Sequence, residues 1–360
     1  MGLAASKTTD VTAVAASGKT VPLGKRTQAS SKGGLFICYN RLIRLSEVAN
    51  VITVVGSLNM DLVVQTERIP RVGETVLGGE FNQIEGGKGG NQAVAAARLG
   101  GDVKMIGAVG QDDMGRQLLA SLEKDEIDIS RIKLSSEPSG MAMILVDAAG
   151  NNSITVVSGA NFDINVDDIR QDEDLFARSS VVLAQLECPL DVVAEALSLA
   201  KEHDCLTVLN PAPAQALPAE LLADVDILTP NETELELLSG MGTSSMEECT
   251  AAGEKLMASG VKSLIVTLGS RGCLYMEGDV AEHYPSYLVK MTDSTAAGDC
   301  FNGALVAALD NGSSIHDAIH FAMKASAISV TRAGAQPSLP TLEEMADFAA
   351  WYEERRLDKS

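Results

Sequence analysis

Four small residues, Thr295-Ala296-Ala297-Gly298, stand directly before an acid, Asp299, and an apolar helical run from Phe301 to Leu309 follows at once. Small residues let a helix start close to a ligand. The unpaired N–H groups of its first turn, with the helix dipole, then form an anion site. An acid in that turn has two readings. It can cap the helix and complement its dipole, or it can act as a base beside a bound phosphate. Cys300, next in the chain, has the side chain of a nucleophile, but a small packing residue is the simpler reading.

Further polar groups fall where strands are expected to end. Val51–Gly56 is an apolar, β-branched run closed by glycine, and Ser57-Leu58-Asn59-Met60-Asp61 follows it. On an extended segment Asn59 and Asp61 face the same side, where they offer sugar hydroxyls a donor and acceptors; an Asx turn is the alternative. Gly86-Gly87-Lys88-Gly89-Gly90-Asn91 opens an Ala-rich helix, Gln92–Leu99. Such a loop either approaches a ligand closely or simply turns the chain. It is not a P-loop, because no Ser or Thr follows Lys88, and it does not fit G-x-G-x-x-G. Gln185-Leu186-Glu187 ends another strand. Asn231 and Glu234, three apart at a helix start, either sit beside a hard cation such as Mg²⁺ or form an N-cap with its capping-box acid. Thr267-Leu268-Gly269-Ser270-Arg271-Gly272 suits phosphate or nucleotide contact, and a tight turn would have the same composition. His316 and His320 have zinc-like spacing but no third ligand in sequence, so they read as helix-surface residues.

Elements must hold these groups together. Buried strands are predicted at 104–109, 180–186, 206–210, 226–229 and 263–268. Helices are predicted at 114–123, 190–202, 231–239, 246–259, 298–309, 314–331 and 341–355. The alternation predicts an α/β fold: a doubly wound, mostly parallel sheet flanked by helices, with ligands at the carboxyl ends of its strands. Thr75–Leu77 with its flanks, and the pair Met141–Val146 and Ser153–Val157, read as hairpin strands. They predict a small β-sheet lid built from segments near 62–83 and 139–158.

The net charge is −21 over 360 residues. Residues 1–50 hold seven basic residues and two acids, Asp10 and Glu47, so +5, which leaves −26 for the remainder. So acidic a body argues against nucleic acid as a partner. No run reaches the roughly eighteen apolar residues of a membrane span. Six scattered cysteines without a C-x-x-C pair read as free thiols of a reducing compartment. The first fifty residues are rich in Ala, Ser, Thr and Lys and show no strand or helix period before about Leu35. They match an organellar transit peptide, hence plastid or mitochondrion; a plain disordered tail on a cytoplasmic protein is the alternative. Met1-Gly2-Leu3-Ala4-Ala5-Ser6 also fits a myristoylation pattern. The folded body is expected at 51–356.

From about Val51 to Ser338 the chain resembles the ribokinase (PfkB) family of sugar kinases. Two signatures carry the resemblance, Gly86–Gly110 and Asp293–Ala304. Between and after them come Asn210-Pro211-Ala212-Pro213-Ala214, Thr229-Pro230-Asn231-Glu232-Thr233-Glu234, Thr267–Gly272 and Arg332–Ser338. The resemblance implies ATP-dependent phosphorylation of D-ribose at its 5-hydroxyl, with Asp299 as general base and the amides of Ala296, Ala297, Gly298 and Asp299 as anion hole. It implies that Asn59, Met60, Asp61, Gly87, Lys88, Gly89, Gly90, Asn91 and Glu187 hold the sugar. ATP would meet Asn231, Thr267, Leu268, Gly269, Ser270, Arg271, Gly272, Gly298 and Asp299. Asn231 and Glu234 would lie near the waters of Mg²⁺. Asp293, Thr295, Ser329, Arg332, Gly334 and Ser338 match a K⁺ site. The family fold carries a β-lid, and its members pair through their lids as homodimers. The chain departs from the pattern in three places: Met323 or Lys324 stands where a His often lies near the adenine, Cys300 replaces a common Thr, and Gly90 a common Ala. A family kinase for deoxyribose, fructose or a nucleoside is the alternative reading, and a non-catalytic scaffold is a third.

Overall fold

The computed structural model describes residues 50–357, together with the backbone of two short strands, Thr12–Val14 and Thr20–Pro22. Those two strands pair antiparallel, a local pairing that the leader's composition did not predict. The expected transit segment and the myristoylation pattern otherwise lie outside the described residues.

Thirteen strands follow Asn50: β1 Val51–Val55, β2 Asn59–Thr66, β3 Gly78–Gly86, β4 Asp102–Gly110, β5 Asp128–Ser135, β6 Gly140–Val146, β7 Asn152–Val157, β8 Ser179–Ala184, β9 Leu206–Leu209, β10 Ile227–Leu228, β11 Ser263–Thr267, β12 Cys273–Glu277 and β13 Val280–Tyr284. The longer helices are α1 Lys88–Arg98, α2 Asp113–Lys124, α3 Leu190–Glu202, α4 Glu232–Ser239, α5 Met246–Met257, α6 Ala297–Asp310, α7 Ile315–Ser329 and α8 Phe348–Arg355.

Nine strands form one sheet in the order β13-β12-β11-β10-β9-β8-β1-β4-β5. Its pairs are parallel from β11 to β5, and β12 and β13 add an antiparallel edge. Parallel strands covered on both faces need near-continuous apolar runs, as in β1 (Val-Ile-Thr-Val-Val, buried throughout). Strand alternation divides β1 between two cores. Ile52 and Val54 pack with α1, α6 and α7 on one face. Val51 and Val55 pack with α3, α4 and α5 on the other. Chain order runs outward from β1 through β4 to β5, then restarts at β8 and runs the opposite way. The switch point therefore lies between β1 and β8.

The remaining strands form a second sheet, β3-β2-β6-β7. Its hairpin strands differ from those predicted. Thr75–Leu77 lies in the connection, and the strand begins at Gly78. Gly78 and Gly79 read as breakers, but β3 is an edge strand with a register shift opposite Val64–Thr66, where glycine is tolerated. A Cβ at Gly78 would come within 2.8 Å of Val64. The expected helix 341–355 is broken at Asp347 into Leu342–Ala346 and α8.

Helices α1 and α6 approach closely because residue 303 has no side chain. A Cβ at Gly303 would lie 2.5 Å from Ala95 Cβ and 2.6 Å from the carbonyl oxygen of Gln92. Among the described residues, no helix is long and apolar enough to cross a membrane.

Candidate active site

The carboxyl ends of β1, β8, β9, β10 and β11 converge on one region with the starts of α1, α4 and α6. One hollow there, about 220 Å³, is lined by Lys88, Asn210, Thr229, Asn231, Glu234, Thr267, Ser294, Ala296, Ala297, Gly298, Asp299 and Asn302. A second, also about 220 Å³, is lined by Asn59, Val156, Ser158, Asn161, Phe162, Leu186, Glu187 and Pro213. The amide of Lys88 in the first donates to Glu187 Oε2 in the second, at 3.2 Å.

Helix α6 begins without a side-chain cap. Its N-cap residue, Ala296, is left-handed (φ 58°, ψ 12°) and makes no side-chain capping hydrogen bond. For a residue with a Cβ that conformation costs roughly 1–2 kcal/mol, and such strain gathers at ligand-binding turns. Gly298 faces open space: a Cβ there would meet no atom within 4 Å. Helix α4 begins in the opposite way. Asn231 Oδ1 accepts the Glu234 amide at 2.8 Å, and Glu234 Oε2 accepts the Asn231 amide at 2.8 Å. The capping-box reading of this pair is thus realised, while both residues also border the cleft.

Asp299 is buried, and two side-chain amides hold it. Asn91 Nδ2 donates to Oδ2 at 3.0 Å, and Gln92 Nε2 donates to Oδ1 at 2.9 Å. Gln92 Nε2 also donates to Asn210 Oδ1 at 3.1 Å, and Gln185 Nε2 donates to Gln92 Oε1 at 2.7 Å. Asn210 Nδ2 donates to the Thr229 carbonyl, Thr229 Oγ1 to Asn302 Oδ1, and Asn302 Nδ2 back to the Gly298 carbonyl. Strand ends and helix starts are tied in one circuit around the acid.

The second hollow is organised by Glu187 and Asn161. Glu187 Oε2 accepts from Ser57 Oγ at 2.6 Å and from Asn59 Nδ2 at 3.4 Å. Asn161 Nδ2 donates to Asn59 Oδ1 at 2.8 Å, and Asn161 Oδ1 accepts the Leu58 amide at 2.8 Å. The glycine loop lies hard against this strand end: Gly87 is at φ 85°, and a Cβ there would lie 2.6 Å from the Asn59 nitrogen. Asn91 Oδ1 is buried and finds no partner within the protein.

Carboxylates crowd the region and shift one another. Burial, then the charges of Glu187 and Asp299, push Asp61 up to about 7. Burial alone would lower Lys88, but Asp299, Glu187 and Glu234 more than reverse that and hold the ammonium charged. Burial raises Glu234 above the usual carboxylate range against the opposing Asn231 amide. Burial strongly raises the Cys300 thiol, which keeps it protonated and suits the packing reading.

Of the expected site residues, Asn59, Lys88, Glu187, Asn231, Glu234, Thr267 and Ala296–Asp299 line the two hollows. The Met60 side chain does not: strand alternation turns it into the core, where it is fully buried. Leu268 is also a core residue. Gly269–Arg271 forms a 3₁₀ turn closed by the Leu268 amide on the Gly272 carbonyl at 2.8 Å, so the tight-turn reading holds for that stretch. Met323 is buried, its sulfur 3.8 Å from Cys273 Sγ. Lys324 Nζ stands 5.7 Å from the centre of the Phe348 ring. His316 packs on Tyr275 and Tyr284, in keeping with its reading as a helix-surface residue.

The residues expected to hold K⁺ are brought together from two segments. Asp293 Oδ1 accepts from Thr295 N and Oγ1 at 2.9 and 2.7 Å, and Oδ2 accepts from the Gly334 amide at 2.9 Å. Those bonds outweigh burial and hold Asp293 below the usual carboxylate range. Ser329 and Ser338 share a hydroxyl hydrogen bond of 2.9 Å. Arg332 is paired with Glu344. Local spacing did not reveal Gln92, Asn161 or Asn302, and it offered Gln185 only as a polar strand end. The available signal was a lone polar residue in an apolar run, as Asn302 is between Phe301 and Gly303–Leu309.

Residues 49–342 match the pfkB family carbohydrate kinase profile. A ribokinase of Haemophilus influenzae is 41% identical over 298 residues, 82% of this chain and 97% of that protein. A deoxyribokinase of Salmonella typhi is 35% identical over 299 residues, 82% of this chain and 98% of that protein. The Arabidopsis thaliana ribokinase solved with ribose and ATP superimposes with a TM-score of 0.78 at 31% identity, over 83% of this chain and 98% of that one. Matching over most of its length in sequence, and with the two sheets and cleft described above, the chain belongs to the pfkB family of carbohydrate kinases.

Proposed function

We propose that this chain transfers the γ-phosphoryl group of ATP to the 5-hydroxyl of D-ribose, giving ribose 5-phosphate and ADP. The observation that carries the reading is Asp299, held by two amide donors in the first turn of an uncapped helix that opens on the cleft. Phosphoryl transfer demands positioning and charge stabilisation more than covalent chemistry. Asp299 accepts the proton of the 5-hydroxyl as that oxygen bonds to phosphorus and the bond to ADP breaks. The amides from Ala296 to Asp299 receive the phosphoryl oxygens. Asn59, Asp61, Gly87–Asn91 and Glu187 hold the sugar, with Met60 contributing backbone only. Asn231, Thr267–Gly272 and Gly298 flank the nucleotide.

Mg²⁺ bound with ATP neutralises phosphate charge. The donors suit it: Glu234 and Asn231 supply oxygens at the cleft, and among the described residues no three His, Cys, Asp or Glu converge to hold an ion alone. Such a site fits a hard cation that keeps its waters and leans on substrate phosphates. For K⁺, Asp293, Thr295, Ser329, Arg332, Gly334 and Ser338 offer oxygen donors, largely backbone carbonyls, on two segments tied by the Asp293–Gly334 hydrogen bond. A cation held there adds positive charge just before α6. Exposed apolar residues on the second sheet, among them Phe81, Met143, Ile154 and Val156, support a homodimer joined through the lids.

An ATP-consumption assay over ribose, 2-deoxyribose, fructose and adenosine, with and without K⁺, tests the proposal. Ribose is expected to turn over fastest, with K⁺ stimulating. Turnover on adenosine with none on ribose would overturn it.

A further inference from the structure

Gln92 is fully buried in α1, directly before a run of buried apolar residues, Ala93, Val94, Ala95 and Ala96. It does not line the cleft. A buried amide is costly unless its donors and acceptor are met, and here they are met in one direction only. Gln185 donates to its oxygen, so its nitrogen must face Asn210 and Asp299. Asn210 is oriented in turn, because its own amide donates to the Thr229 carbonyl. A chain of side chains from three elements thereby fixes which atom of Gln92 meets the acid.

From this we infer that Gln92, oriented by Gln185 and Asn210, is a positioning residue for Asp299. Its donor holds Oδ1 and fixes the direction of the carboxylate's remaining lone pairs. The inference rests on Asp299 being the base. Lys88, Asp61, Glu234 and Cys300 also face or sense Asp299. None of them changes in the variants below, so a shifted titration belongs to the lost donor.

The test is steady-state kinetics across pH with ribose and Mg-ATP. Gln92→Leu removes the donor at similar volume. It is expected to lower kcat about 10–100-fold and to move the acid limb of the kcat profile up by about one pH unit, with the KM for ATP little changed. In an Asp299→Asn background the same substitution should cost nothing further, as two residues acting through one carboxylate require. A parental kcat in Gln92→Leu, a fall in kcat with an unmoved acid limb, or a full further loss in the Asp299→Asn background would each overturn it. If Gln92→Leu does not fold, Gln92→Met, unbranched like Gln and without a donor, is read instead. There the limb must again rise, and an unmoved limb overturns the inference. Parental turnover in Asp299→Asn alone would instead sink the base assignment.

Discussion

Helices α4 and α6 start at the same cleft, and their first turns are finished in opposite ways. At α4 the side chains of Asn231 and Glu234 answer each other's amides. At α6 the N-cap residue is a left-handed alanine with no side chain to offer, and the second helical residue is a glycine facing open space. A helix start that satisfies its own donors is a structural terminus. One that leaves most of them unanswered is ready for an anion; at α6 the Ala297 amide donates to the Ser294 carbonyl at 3.1 Å. Both starts carry an acid at the third helical position, Glu234 and Asp299. The difference lies in whether the acid reaches back to the N-cap amide. Glu234 does, while Asp299 is turned sideways into Asn91 and Gln92.

The comparison can be broken most sharply at Asp299. Replacement by Ala is expected to lower kcat by about 10²–10⁴, with ribose and Mg-ATP as substrates; near-parental turnover would erase the functional half of the contrast. Gly298→Ala comes next. The added methyl strains nothing in the protein, so the melting temperature should hold, but it enters the space assigned to phosphate, and turnover should fall about tenfold or more. A drop in melting temperature without loss of rate would reverse the roles given to the two termini. At α4 the sign is different: Asn231→Ala should lower unfolding free energy by about 1 kcal/mol, measured by denaturant titration, a loss that Gly298→Ala does not share.

A separate effect, on stability across pH, concerns Asp61. Its pKa is raised from 3.8 to about 7, so the folded state holds a proton that the unfolded chain gives up earlier. Its contribution to stability is full below 3.8 and is lost as pH rises through about 7. Asp61→Asn should therefore flatten the fall of melting temperature over that window in the sugar-free protein. An unaltered slope would show that the carboxylate crowding around Lys88 does not reach β2.

What the chain reveals in advance follows the range of the interaction. The central parallel strands are short, bounded apolar runs, and all were legible. β5 and β13 were not, because these outer strands lack that continuous buried signal, β5 reading Asp-Ile-Ser-Arg-Ile-Lys-Leu-Ser; β12 was missed although Cys273–Met276 is a buried apolar run, only four residues long. The α6 start was legible because its parts are contiguous. Its supports were not: Gln92 and Asp299 are 207 residues apart, and Gln92 and Asn210 are 118 apart. No local period can announce a hydrogen bond across such spans. Where one stretch allowed two readings, as at Asn231 and Glu234, coordinates were needed to see that the cap and the cleft wall are the same residues.

Gly303 lies one turn beyond Asp299, on the side of α6 that meets α1, and no substrate reaches it. Yet the gap between the two helices there is the width of one missing methyl group, and that gap governs how near Asn91 and Gln92 can stand to the acid. Any larger residue at 303 would act as a wedge between α1 and α6, prising Asp299 from Asn91 and Gln92 while every cleft residue stayed unchanged. Gly303→Val should therefore lower turnover although every residue lining the cleft is the parental one.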